Sequence, residues 1–339
     1  MTPGDRARTS SEVADALADG RAVVALETAV LTHGVPRDAR PRPTTLDPDH
    51  EAGRILGDHE WDASAPFNLE TVRAIAAGCR RNGAVPAVEH ADDGVLRIGL
   101  DDAELERLAV DSSARKLSTR DLGLAAIDGA SGGTTVAATM RACRLAAPRA
   151  IEVFATGGIG GVHRGWQQRP DVSADLRALA TEPVAVVAAG AKVILDVAAT
   201  LEALDSLGVP VVGFGTDAMP IFTAGVHSEL RVPHRVDDAS SVASLLRSHW
   251  HDLGIASGVL VANPCPEDAA IDSSRLDALV DAGLAEASAL GIEGAEVTPF
   301  LLSSLIKAED SDPLAANVAL LVSNAALAAG IADAAADAR

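Results

Sequence analysis

Phe154-Ala155-Thr156-Gly157-Gly158-Ile159-Gly160-Gly161-Val162-His163-Arg164-Gly165 follows a short, mostly apolar run, Ala150 to Val153. Five glycines fall within positions 157–165. Glycine loses chain entropy wherever it is ordered, so packing alone does not account for such density. A backbone that turns tightly and closely approaches a guest does account for it. The expected guest is an anion, bound by free N–H groups. Asp175 lies ten residues past Gly165, and Lys192 closes the next apolar run, Val184–Ala191.

Working outward, strands alternate with helices along the whole chain. Ala22–Leu26, Pro210–Phe214 and Val259–Ala262 are further continuous apolar runs. Strands of this kind are buried on both faces, which predicts an α/β fold: three α/β/α layers around a largely parallel central sheet. Asp92-Asp93-Gly94 between Gly83–His90 and Val95–Leu100 predicts a hairpin. Helices are expected at 11–19, 68–82, 101–108, from Gly132 to Leu145, 171–180, 194–207, 276–290, 298–308 and 314–335. Residues 38–65 carry several prolines and little periodicity, and read as a long inserted surface loop with Ile55-Leu56 docking locally. No internal repeat or linker is visible, so 1–339 reads as a single domain.

A net charge of -20 leaves no basic face to neutralise phosphates, which argues against nucleic acid as a partner. Three cysteines without a CxxC pair suggest neither a disulfide framework nor a zinc site, and fit a reducing cytoplasm. No signal-peptide pattern opens the chain, and no run approaches the ~18 apolar residues of a membrane span. Only three of the 28 basic residues are lysine: Lys116, Lys192 and Lys307. Where arginine serves as the general cation, the remaining lysines are enriched for sites that need a compact charge or a nucleophilic amine.

Parallel strands present their chemistry at carboxyl ends. Glu27, Thr156-Gly157, Lys192 and Thr216 all follow strands and could share one rim. Glu27 is equally a carboxylate rising to solvent. A lysine closing an apolar run is expected to be desolvated, which favours the neutral amine that adds to aldehydes; snorkelling is the alternative. Lys116, Ser118 and Thr119 before a helix suit phosphate, or form a solvated turn. Asp175 could hold a hard divalent cation, or cap a helix.

Together, Leu26-Glu27-Thr28, Thr32–Pro36, Ser118–Leu122, Gly133–Ala137, Phe154–Gly165, Val172–Leu176, Ala189–Lys192, Gly208–Gly213, Ala262-Asn263-Pro264 and Thr298–Leu302 resemble the pseudouridine-5'-phosphate glycosidase family. The likeness is collinear from about residue 10 to 335. It implies α/β/α homotrimers that need a divalent metal, usually Mn²⁺. It also implies reversible cleavage of the C–C bond joining uracil C5 to ribose 5-phosphate. By the resemblance, Lys192 forms an imine with C1', Glu27 donates and accepts the proton in ring opening, and Asp175 is the metal ligand. Lys116, Ser118, Thr135, Thr156 and Gly157 match positions around phosphate and sugar, His163 lies in the site, and Asn317 faces the base. The chain departs from the family at 38–65, at Thr28-Ala29, and at Ala308–Leu314. These changes lie on the base side, so a C-glycosynthase that joins ribose 5-phosphate to another carbon nucleophile is the second expectation. A non-catalytic sugar-phosphate-binding protein is the third.

Overall fold

The computed structural model describes residues 6–43, 46–167, 170–292, 297, 300–301 and 313–337. Except for Phe300 and Leu301, which are helical, the expected helix 298–308 lies outside these residues, as do Lys307 and most of the 308–314 departure. In chain order the first half contains β1 (Ala7–Thr9), α1 (Ser11–Ala18), β2 (Val23–Glu27), α2 (Glu51–Asp58), α3 (Phe67–Arg81), β3 (Val85–Asp92), β4 (Val95–Ile98) and α4 (Asp102–Val110). There follow β5 (Arg115–Leu117), α5 (Thr119–Asp128), β6 (Gly132–Thr134), α6 (Val136–Cys143), β7 (Val153–Ala155) and β8 (Val162–His163). The second half contains α7 (Ala174–Thr181), β9 (Ala185–Ala188), β10 (Leu195–Asp196), α8 (Val197–Ser206), β11 (Val211–Phe214), β12 (Ala218–Pro220) and β13 (Val226–Arg231). It closes with β14 (His234–Val236), α9 (Ala239–Arg247), β15 (Val259–Ala262), α10 (Ser273–Ala289) and α11 (Pro313–Asp337).

The main sheet runs β1-β4-β3-β2-β7-β9-β15-β11-β14, with β6 beside the upper end of β3 and β5 beside β6. From β3 to β14 every neighbouring pair is parallel. The hairpin β3–β4 is antiparallel, and its turn places Asp93 and Gly94 at φ 48° and 72°, as an Asp-Gly primed turn requires. β9 and β15 consist of Val, Ala and Leu and are wholly buried, the pattern of strands covered on both faces. Helices α2, α3 and α9 pack with α11 on one side, and α6 with α7 and α8 on the other, giving three layers.

α11 differs from the sequence expectation. By length and composition it could cross a membrane, yet two thirds of its most apolar window is buried inside the fold. It lies over β2, β7 and β9 as the central helix of its layer.

Two other expectations change. Segment 38–65 includes a helix, α2, which buries Ile55 and Leu56. Its tail is held by the buried Glu70 carboxylate, which accepts from the Asp62 N–H and pairs with Arg73 and His59. Gly132-Gly133 form strand β6 instead of opening a helix. A side chain at Gly133 would collide with the turn at Thr28–Thr32, and one at Gly132 with the Arg115 backbone, so only glycine lets β6 fit there.

Candidate active site

β2, β7, β9 and β15 are consecutive parallel neighbours, so their carboxyl ends form one rim. Glu27 ends β2, Thr156 follows β7, Lys192 follows β9 by a short loop, and Asn263 follows β15. Thr28 anchors the end of β2: its hydroxyl donates to the Glu89 carbonyl at 2.6 Å and accepts from the Thr134 N–H at 3.1 Å. The Thr134 hydroxyl donates to the same carbonyl at 2.7 Å. Glu27 is therefore presented from a junction where β2, β3 and β6 are locked together.

The Thr156 hydroxyl donates to Oε1 of Glu27. Burial pushes the Glu27 carboxyl above its usual range; the Lys192 charge, then the Thr156 hydrogen bond, pull it back, and Asp175 and Lys116 act more weakly. A carboxyl balanced in this way can hold a proton as well as accept one. Lys116 stands exposed at the mouth. Partial desolvation lowers its pKa, the nearby Lys192 charge lowers it further, and Glu27 and Asp175 oppose both. Glu27, Lys116, Asp175 and Lys192 thus share one electrostatic environment.

Lys192 is half-buried, less enclosed than the preceding apolar run suggests. Its backbone N–H donates to Ile159 at 3.1 Å, tying it to the glycine stretch.

Asp175 is buried at the start of α7. Oδ1 accepts from the Ala137 N–H at 3.0 Å and Oδ2 from the Gly160 N–H at 2.8 Å. Its carboxylate therefore caps α6 and pins the glycine stretch at once. Among the described residues, no three His, Cys, Asp or Glu side chains group as a metal cage. A lone carboxylate whose two oxygens each keep a lone pair fits only a largely water-ligated divalent cation.

Ser118 and Thr135 occupy the caps of α5 and α6. They are brought beside Lys116 because β5 and β6 pair, with Lys116 opposite Gly133 and the Thr135 N–H on the Leu117 carbonyl at 2.9 Å. The Thr135 hydroxyl is buried without a hydrogen-bond partner among the described residues. An orphaned hydroxyl at a helix N-terminus beside a lysine has the chemistry of an anion site.

Part of the glycine stretch is not an open anion cradle. The N–H groups of Thr156, Ile159, Gly160 and Val162 all have protein acceptors: Val187, Gly190, Asp175 and Thr200. The missing side chains admit neighbours. A Cβ at Gly157 would stand 3.3 Å from Leu320, Leu321 and Phe222, and one at Gly158 2.8 Å from Phe222. At Gly160 it would overlap Ser173, and at Gly161 Thr200. Density of glycine here reports close packing of α11, Phe222, α7 and α8 onto one turn.

The remaining sequence candidates have settings of their own. His163 lines a cavity of about 290 Å³ with Arg164, Asp171, Ile194 and residues of α10. Arg164 pairs with Asp281 of α10 at 3.1 Å across that cavity's edge. Thr216 is occupied in its own turn, bonding both the N–H and carbonyl of Ala218 at 3.0 Å, and does not join the cluster. Asn317 lies half-buried near the start of α11.

Comparison with known proteins identifies the family. Residues 62–334 match the family model described as Indigoidine synthase A like protein. Proteins named pseudouridine-5'-phosphate glycosidase are similar over nearly the whole length. The one from Jannaschia sp. (strain CCS1) is 46% identical, covering 95% of this chain and 96% of that protein. The one from Sorangium cellulosum (strain So ce56) is 43% identical, covering 98% and 95%.

The chain belongs to the pseudouridine-5'-phosphate glycosidase family.

Among solved structures, the prealnumycin C-glycosynthase AlnA in complex with ribulose 5-phosphate superposes with a TM-score of 0.80 at 33% identity, covering 98% of this chain and 97% of that one. An indigoidine synthase A-like protein from Thermotoga maritima gives 0.77 at 32% identity, covering 96% and 95%. Within this glycosidase-family fold, sequence reasoning missed Asn324, a buried amide on α11 that bonds the Thr156 carbonyl. An asparagine inside the apolar run Leu320–Ala329 was the available signal, since buried amides are rarely left unbonded.

Proposed function

We propose that this enzyme reversibly cleaves the C–C glycosidic bond between ribose 5-phosphate and uracil. The observation that carries this reading is the gathering of Glu27, Thr156, Asp175, Lys116 and Lys192 on one rim in a chain of this family. Lys116, Ser118 and Thr135 hold the phosphate. Thr156 and Gly157 line the sugar, His163 lies in the site, and Asn317 faces the base.

A C–C bond offers no ordinary leaving group, so protonation alone does not break it. Glu27 moves the proton at the ring oxygen as the sugar opens. The Lys192 amine adds at C1', and the base carbon leaves with its bonding pair as C1' becomes an iminium; a proton then replaces C1' on the base. Water releases ribose 5-phosphate from Lys192. The synthetic direction is the same sequence reversed. Asp175 would hold Mn²⁺ or another divalent ion through water, and the ion would supply positive charge to the site. A single domain, a homotrimer and a cytoplasmic site of action complete the proposal.

A C-glycosynthase is the second reading, favoured by the likeness to AlnA. The higher identity to proteins named as glycosidases favours uracil. Incubating the enzyme and ribose 5-phosphate with uracil and a panel of carbon nucleophiles decides between them. Borohydride reduction should leave a sugar-phosphate adduct on Lys192. A folded enzyme that couples no nucleophile and traps no adduct would instead be a binding protein.

A further inference from the structure

We infer that Asn324 is a positioning residue whose carboxamide clamps the Thr156–Gly157 peptide and thereby holds the Thr156 hydroxyl on Glu27. The inference rests on the reading of Glu27 as the proton-transfer group.

Asn324 is fully buried on α11, among Leu320, Leu321, Ala325 and Ala328. An unbonded amide there would be costly, and this one is bonded at both ends. Nδ2 donates to the Thr156 carbonyl at 2.7 Å, and Oδ1 accepts from Asn263 Nδ2 at 2.9 Å. The Asn263 N–H in turn donates to Ala188 at 2.9 Å, and the Thr156 N–H to Val187 at 3.0 Å. One amide on the covering helix thus ties together the carboxyl ends of β7, β9 and β15.

The clamp is needed because Gly157 follows Thr156. A peptide leading into glycine has little steric restraint on its orientation. With its carbonyl held from α11 and its N–H held by Val187, the Thr156 backbone is fixed in the position from which its hydroxyl donates to Glu27. The other charges acting on Glu27 are Lys192, Asp175 and Lys116. None of them touches Asn324 in the hydrogen bonds above, so the amide acts on Glu27 through Thr156. The same helix carries Asn317 seven residues earlier. That is two turns, the same face, and about 10 Å along the axis. α11 therefore spaces the base-side amide from the acid.

Asn324→Asp in the full-length enzyme keeps the acceptor for Asn263 and sets an oxygen against the Thr156 carbonyl. The expected result is a fall in kcat of about tenfold or more with KM for ribose 5-phosphate within about twofold. The limb of the pH–rate profile that reports Glu27 should move to higher pH, because the hydroxyl no longer favours the carboxylate. Thr156→Val should move it the same way, and adding Asn324→Asp to Thr156→Val should move it no further. A purely structural amide would lower the melting temperature and leave the limb in place. An unmoved limb in Asn324→Asp, or an added shift in the double variant, overturns the inference.

Should Asn324→Asp fail to fold, Asn263→Ser releases one side of the amide and should give a smaller shift in the same direction; no shift overturns the inference. If the wild type itself shows no turnover, the proposed function fails, and ¹³C NMR titration of the Glu27 carboxyl in the same variants still reads the coupling directly.

Discussion

The hydroxyl of Thr156 donates to the carboxyl of Glu27, joining residues 129 apart in sequence at the ends of adjacent strands β2 and β7. Thr156→Ser keeps the donor and should retain activity within about tenfold. Thr156→Val should lose substantially more in kcat, because Glu27 then has only the lysine charges to counter its burial. Equal kcat in the two variants would mean the hydroxyl is not a working part of the site.

Lys192→Ala should abolish turnover, by ~10³-fold or more, while ribose 5-phosphate still binds by calorimetry, since Lys116, Ser118 and Thr135 are untouched. Lys192→Arg should be as inactive, because a guanidinium does not deprotonate to attack a carbonyl. Strong residual catalysis in either purified, folded variant would defeat the imine assignment.

A methyl added at Gly160 would stand 2.8 Å from Asp175 Oδ2 and overlap Ser173. Gly160→Ala should therefore displace the carboxylate and weaken Mn²⁺ binding by about tenfold or more, read from the free-ion signal by electron paramagnetic resonance. Gly57, on α2, has open space where its Cβ would be. Gly57→Ala should leave Mn²⁺ binding alone and stabilise the helix by about 0.4–1 kcal/mol. Unchanged Mn²⁺ affinity in Gly160→Ala would remove Asp175 from the metal site.

The alternation of apolar strands and helices, the Asp93-Gly94 turn and the rim containing Glu27 and Lys192 were legible because each depends on local pattern and on where parallel strands end. The glycine stretch was legible as special but not for its reason. Whether a glycine N–H faces an anion or Asp175 depends on α7 arriving from elsewhere in the chain. α11 shows the same limit: its composition suits lipid or a protein interior equally, and only the sheet beneath it decides. Asn324 carried no motif, and its partner Thr156 lies 168 residues away. Gly132-Gly133 could not be recognised as a strand without the Thr28–Thr32 turn that fills the space beside it.

Glu89 gives a prediction about stability instead of rate. It lies fully buried in β3, with Oε1 accepting a long bond from the Cys143 thiol at 3.7 Å and Oε2 without a hydrogen-bond partner among the described residues. Burial raises its pKa well above its ordinary 4.5. The folded protein therefore keeps a proton that the unfolded chain releases near that value. The contribution is fully present below about pH 4.5 and is lost as pH rises through the folded-state value, by up to about 1.4 kcal/mol per pH unit. Glu89→Gln keeps an acceptor for Cys143 and does not titrate. Urea unfolding from pH 5 to 9 should show the wild type losing stability relative to Glu89→Gln as pH rises. Glu27, whose pKa is also raised, contributes in the same direction to both proteins and cancels in the difference. Parallel stability curves for the two proteins would show that Glu89 ionises in the fold as readily as in the unfolded chain.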